Sequence, residues 1–155
     1  MNVFFSVILL AQSAFAPLYN APQWIGSRLS APSYRGRVVI VDIFTFDCIN
    51  CKHIVPELRS LRARYPVKDL AIVGIHTPET PFEHVRANVV QALATQGISW
   101  PVAIDNDEKL WNAYGIQYWP TQLIFDRHGR LRKTIIGEGQ DAAVASTVAA
   151  IVAER

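Results

Sequence analysis

One central mixed sheet with helices on both faces, an α/β fold, is what this chain predicts. Three observations carry that reading. Strand-like and helix-like segments alternate through the first two-thirds of the chain, which is the pattern of parallel βαβ units. The strand segments are nearly continuous apolar runs, as expected of strands covered on both sides. A turn signal, Asp126-Arg127-His128-Gly129, then separates two more strand-like runs and adds an antiparallel hairpin.

The elements follow in order. Residues 19–34 are polar, proline-marked and irregular, and Arg35-Gly36-Arg37 reads as a turn. Residues 38–44 are β-branched and aromatic, a central strand interrupted only by Asp42. A lone carboxylate there is costly unless it is paired or protonated. Residues 48–65 form a helix. Ile54, Val55, Leu58, Leu61 and Tyr65 make one apolar face, and Lys52, Glu57, Arg59, Arg62 and Arg64 mostly fall opposite. Pro56 removes one backbone donor inside it and predicts a kink. Residues 70–75 are a second buried strand. Residues 82–96 are a second helix, with Pro81 near its start and Gly97 past its end. Residues 100–104 are a short strand or extended run. Asp105 to Asp107 can cap a short helix through Tyr114, closed by Gly115. Residues 121–125 and 131–136 are the hairpin strands, and 142–154 a final helix.

The 155 residues make one domain, half apolar and 18% charged, which excludes intrinsic disorder. A net charge of +2 gives no reason to expect a nucleic acid partner. Two cysteines exclude a disulfide-rich scaffold. No heptad pattern is present, so a monomer is the default.

Residues 3–11 are almost wholly apolar. The run is far shorter than the ~20 residues a membrane span needs, and it suits the hydrophobic region of a secretory signal. Ala14-Phe15-Ala16 supplies a small-x-small cleavage pattern. No Lys or Arg precedes the run, and Pro17 follows the bond. The expectation is a leader over residues 1–16, cleaved or kept as a tether, and a domain over 17–155 outside the cytoplasm, for instance in a periplasm. A terminal strand or helix is the alternative.

Cys48-Ile49-Asn50-Cys51 stands at a strand-to-helix junction. The first cysteine meets the unpaired N–H groups and positive dipole end of the helix, which favours its thiolate and predicts a pKa below about 8.5. The second, one turn on, can close a disulfide with it and so release a captured partner. Cys48 is therefore the candidate attacking thiol and Cys51 the resolving thiol. A zinc site would need two more ligands at recognisable spacing, and only His53 lies near. A purely structural disulfide over so short a loop would constrain the unfolded chain little.

Further residues complete a pattern. These are Val41-Asp42-Ile43-Phe44 before the cysteines, Pro56 five residues after Cys51, and Trp119-Pro120-Thr121 before a strand. The strings Gly74-Ile75-His76-Thr77-Pro78-Glu79, Trp111-Asn112-Ala113-Tyr114-Gly115 and Gly137-Glu138-Gly139 accompany them. From about residue 24 to 139 the chain resembles the thioredoxin-like superfamily. More narrowly it resembles the TlpA/ResA-type extracytoplasmic proteins, especially the C-terminal thioredoxin-like domain of DipZ proteins.

The resemblance implies a thioredoxin-like fold and a thiol–disulfide oxidoreductase whose redox element is the Cys48–Cys51 pair, with no other cofactor and no metal. It implies that Pro120 is a cis-proline facing the pair. The Trp119 backbone would hold a substrate peptide as an added strand, and Ile49 and Asn50 would lie at the contact. Asp42 matches the buried acid behind the pair, a proton acceptor for Cys51. Partners would be disulfide-containing proteins and a membrane-bound thiol reductant of the DsbD/CcdA type. Trp119 could equally be a core tryptophan, and Asp42 a carboxyl tied down by hydrogen bonds. Lys52 and His53 could tune the field at the site, with solvated surface as the default reading.

Asp47 stands where many thioredoxins carry tryptophan. Its charge opposes a neighbouring thiolate, and Ile49-Asn50 adds no cation, so a reducing rather than strongly oxidising protein is expected. A thiol peroxidase with Cys48 as the peroxide-reacting group is the alternative, weakened by the lack of an evident Thr/Arg setting. A redox-inert binding module is a third reading. Asp105-Asn106-Asp107-Glu108 lacks the glycine and distal glutamate of a calcium loop and reads as a helix cap.

Overall fold

The computed structural model describes residues 14–154. Residues 1–13, which hold most of the expected leader, lie outside them. The centre of the sheet is β2 (Val38–Phe44), all seven residues of which are buried. It pairs in parallel with β3 (Leu70–His76) along its whole length, Val38 beside Leu70 and Phe44 beside His76. On its other side it pairs antiparallel with β5 (Thr121–Phe125). β4 (Val102–Ile104) continues the sheet in parallel beyond β3. β6 (Leu131–Ile136) is the antiparallel hairpin partner of β5. A two-residue strand, β1 (Trp24–Ile25), covers the β4 edge, so the order is β1-β4-β3-β2-β5-β6.

Strand alternation splits the core into two layers. Val38, Ile40 and Phe44 face α3 (Ile49–Arg64), α4 (Arg86–Gln96) and α6 (Asp141–Ala153). Val39, Val41 and Ile43 face α1 (Ala16–Tyr19), α2 (Ala31–Tyr34) and α5 (Lys109–Ala113). The mixed sheet and helices on both faces agree with the sequence. Asp42 keeps the even-numbered phase and so points into the layer that holds α3.

α3 buries Cys51, Ile54, Val55, Leu58 and Leu61, one face over three turns. Each large aliphatic side chain so buried contributes roughly 1.5–3 kcal/mol relative to exposure. The helix stops at Tyr65, where the next residue, Pro66, disfavours a further helical residue.

Three elements differ from the sequence reading. The second helix does not begin at 82: Pro81–His84 is a separate 3-10 turn, Val85 is extended, and α4 starts at Arg86. The side chains of Thr80 and Glu83 cap each other's backbone, a capping box that completes its bonding within one turn. The strand expected from residue 100 starts at Val102, because Pro101 has no N–H for the ladder. The segment 19–34, read as irregular, contains β1 and α2.

Phe15 precedes the expected domain boundary yet is buried, stacked on Tyr34 at 4.7 Å and edge-on to Phe125 at 4.9 Å.

Gly74 marks the tightest strand contact. A Cβ there would lie 2.9 Å from Cε1 of Phe44 and 3.0 Å from Cγ2 of Val102. Both neighbours are buried in a packed layer and have little room to move. Gly74→Ala should therefore lower unfolding stability by about 1–3 kcal/mol, read by urea titration, although alanine suits a strand better than glycine. An unchanged midpoint would mean that this layer yields.

Candidate active site

The site is assembled where β2 runs out. After Phe44 the buried Thr45 and Phe46 lead to exposed Asp47, and Cys48 becomes the N-cap of α3. Its sulfur accepts the backbone N–H of Cys51 at 3.4 Å. That N–H is one of the donors a helix start leaves unpaired, so sulfur replaces a capping oxygen. The two cysteines are free thiols at different depths: Cys48 is partly exposed and Cys51 only 3% exposed.

Burial pushes the Cys51 thiol well above its ordinary range. The Cys48 side chain and the charge of Asp42 push it further, against a backbone hydrogen bond at Thr45. Asp42 lies in the same layer, 1% exposed, and burial raises its carboxyl to about 7. Its Oδ1 has no hydrogen-bond partner among the described residues. Of the two ways to tolerate a strand carboxylate, pairing or protonation, burial favours protonation.

Glu83 shows the opposite solution and was missed in the sequence. It too is 1% exposed, but its carboxylate is fully engaged. It accepts the Thr45 hydroxyl, the Asp47 N–H at 3.1 Å, the Glu79 and Thr80 N–H groups at 2.9 Å, and the Thr80 hydroxyl at 3.2 Å. Burial alone would raise its pKa; these hydrogen bonds outweigh burial and hold it below the usual range. Glu83 thereby ties the loop after β3 to the loop that delivers Cys48. The Thr-x-x-Glu spacing at Thr80 and Glu83 was the one signal for it.

His76 lies beneath these loops, fully buried, with Phe46 stacked on its ring and Phe44 edge-on. Burial lowers its pKa to about 4.

The Trp119–Pro120 peptide bond is cis. Trp119 is half-buried: its indole N–H donates to the Thr77 carbonyl at 3.0 Å, and its ring lies 4.3 Å from that of Trp111. Asp105 supports this side by accepting the Thr77 hydroxyl and the Leu110 and Trp111 N–H groups at 2.8–2.9 Å, the capping role its sequence suggested. Ile49 is 61% exposed beside Cys48.

Two surface readings change. Lys52 is not merely solvated: its Nζ lies 3.1 Å from Asp47, so a cation faces the carboxylate next to Cys48. The pair is exposed and worth little to stability, but it removes part of the argument that Asp47 opposes a thiolate. His53 pairs with Glu138 across to the segment after β6. A cavity of about 1020 Å³ lies on the α1–α5 side of the β5–β6 hairpin and is lined by neither cysteine. Among the described residues no helix is long and apolar enough to cross a membrane, and no cluster of three metal-ligating side chains occurs.

Residues 13–134 match the model of the AhpC/TSA family. The chain belongs to that family. It is similar to the DipZ protein of Mycobacterium tuberculosis, 40% identical over 107 residues that make up 69% of this chain and 15% of DipZ. The chain thus spans a small part of that relative's length. It is also similar to the thiol–disulfide oxidoreductase ResA of Geobacillus thermodenitrificans, 25% identical over 136 residues, 88% of this chain and 75% of ResA. A thioredoxin-like superfamily protein of known crystal structure superposes with a TM-score of 0.74 at 25% identity, covering 87% of this chain and 94% of that one. The fold is thioredoxin-like, and thiol–disulfide oxidoreductases are among the family relatives of this chain.

The burial of Asp42 has a measurable consequence. The folded chain keeps a proton on Asp42 up to about pH 7, whereas the unfolded chain releases it near pH 4, so unfolding releases a proton between these values. Stability from this group is full below pH 4 and falls by on the order of 4 kcal/mol by pH 7. His76 acts oppositely, because the unfolded imidazole binds its proton near 6.5 and the folded one only near 4. Wild-type stability should therefore change little between pH 4 and 6.5 from these two groups. Asp42→Asn removes the falling contribution, so the wild-type minus variant difference should decline steadily from pH 4 to 7 in chemical denaturation. Parallel curves would show that Asp42 is ionised in the fold.

Proposed function

We propose that this domain is a thiol–disulfide oxidoreductase that reduces disulfides in proteins outside the cytoplasm. One observation carries the reading: a partly exposed sulfur caps α3, and its buried twin stands one turn on, in the layer that holds an unpaired Asp42.

In the first step the Cys48 thiolate attacks one sulfur of a substrate disulfide. A Cys48–substrate disulfide forms, and the other substrate sulfur leaves as a thiolate that takes a proton. In the second step Cys51 gives its proton to Asp42 and attacks the Cys48 sulfur. The Cys48–Cys51 bond forms, the second substrate sulfur leaves, and it is protonated in turn. The substrate disulfide gains two electrons and the pair loses two. A carboxyl near pH 7 is matched to that transfer, because it is partly ionised at neutral pH and can hold the proton it accepts. No cofactor beyond the cysteine pair enters the reaction.

Substrate binding is assigned to the rim. The Trp119 backbone would pair with an extended substrate segment, Pro120 would face the sulfurs, and Ile49 and Asn50 would border the contact. The oxidised pair would be returned to the dithiol by a membrane-bound thiol reductant of the DsbD/CcdA type, and the domain would act as a monomer. The apolar run at residues 3–11 supports placement outside the cytoplasm, in a periplasm or tethered to a membrane. The reducing direction is supported by the Asp47 carboxylate beside Cys48, part of whose charge Lys52 offsets.

Cys51→Ser keeps the attacking sulfur and removes the resolving one. It should accumulate disulfide-linked complexes that run as higher bands on non-reducing gels and vanish with dithiothreitol, whereas Cys48→Ser should give none. Rapid consumption of peroxide through Cys48, without such complexes, would favour the peroxidase reading instead. A partner retained by the Cys48→Ser/Cys51→Ser protein would favour the binding module.

A further inference from the structure

We propose that a pocket on the β3 side of Cys48 seats a large apolar side chain of the substrate polypeptide, close in sequence to its disulfide cysteine. The inference rests on the disulfide-exchange reading and adds a substrate class to it: extended segments with apolar side chains flanking the cysteine.

Topology places the pocket. β2 delivers Cys48, and β5 and β3 lie on either side of β2. The β5 side leads back to Trp119 and Pro120, where a substrate strand would pair. The β3 side leads forward through Thr77 to Phe82. A chain laid across Cys48 from the Trp119 side therefore continues toward the 3-10 turn at Pro81–His84.

An open pocket of about 420 Å³ lies there. Phe46, Phe82 and Ala92 supply its apolar wall, and Asn88, Gln91 and Gln96 its polar rim. The aromatic wall is built rather than incidental. Phe46 is buried, two residues before Cys48, and Phe82 packs edge-on to it at 5.7 Å. Gln96 donates to the Phe46 carbonyl at 3.0 Å, and Asn88 donates to the Phe82 carbonyl at 2.9 Å. The Glu83 carboxylate fixes the turn beneath Phe82 and the Asp47 N–H beside Cys48, so the pocket and the sulfur share one support.

Exposure points the same way. Phe82 is 59% exposed although it packs on Phe46, and Ile49, Tyr118 and Val85 are also large exposed apolar side chains. Trp119, Cys48 with Ile49, and Phe82 succeed one another across the ends of β5, β2 and β3. An apolar wall with a polar rim, built on Phe46 two residues before Cys48, is the anatomy of a side-chain subsite. A folded acidic partner would find little matching charge there, since among the described residues lining the pocket the cation is Lys52, which is paired with Asp47.

The test uses the reduced full-length protein in single turnover. Its substrates are short peptides joined by one disulfide, which differ only in carrying Phe, Leu or Ser near the cysteine. The second-order rate constant should be about tenfold larger for the Phe and Leu peptides than for the Ser peptide, as one buried large apolar side chain warrants. Phe82→Ser should bring the peptide rates within about twofold of one another, and so should Gln91→Trp, which covers the pocket from its exposed rim. Equal rates for all peptides with the native protein would overturn the inference. So would an undiminished preference in both variants. Bis(2-hydroxyethyl) disulfide, which has no side chain to seat, separates the two claims. If the native protein cannot reduce it or any peptide, the disulfide-exchange reading falls and the pocket assignment with it.

Discussion

The hydrogen bond from the Cys51 N–H to the Cys48 sulfur sets two chemically identical groups at different depths. It makes Cys48 the cap of α3 and leaves it partly open to solvent, while the helix carries Cys51 a turn further and down into the core. The rest of the site depends on that offset. β2 is buried along its length, so it has one register against β3 and β5, and the point at which the chain leaves the sheet for α3 is fixed with it. A slip of one residue would turn Asp42 into the other layer, away from Cys51.

Buried carboxyls in this fold divide by what surrounds them. Asp42 has an oxygen without a partner among the described residues, and burial raises its carboxyl to about 7. Glu83, equally buried, receives five hydrogen bonds and is kept ionised. One group lacks partners and the other is a brace. Asp105 braces the opposite side, tying Thr77 to the start of α5, whose Trp111 packs on Trp119. Glu83 thus holds the cysteine loop, and Asp105 holds the Thr77 and Trp119 side of the site.

Much of this could be read from the sequence, for physical reasons. Long apolar strands, the face of α3 and the hairpin signal at Asp126 to Gly129 are local periodicities, and they placed the sheet and the helices. Cys48, Cys51 and Asp42 were legible because each is an unusual residue for its position. What escaped the reading depends on distant contacts. β1 is two residues long and exists only because β4 offers an open edge. The break at Val85 follows from a capping box that ends a turn early. Glu83 resembles any surface glutamate until the fold brings Thr45 and Asp47 onto it. Lys52 looked solvated because it and its partner are both exposed, and exposed charges pair without a sequence signature. Phe15 lies in the Ala14-Phe15-Ala16 pattern, and its packing on Tyr34 and Phe125 depends on residues distant in sequence.

The difference in depth between the two sulfurs is open to direct measurement. The reduced protein can be treated with iodoacetamide under native conditions, with the modified cysteine located by peptide mass mapping over time. The account predicts that Cys48 is alkylated first, with Cys51 at least about tenfold slower until the protein is unfolded. Equal labelling of both, or earlier labelling of Cys51, would contradict it.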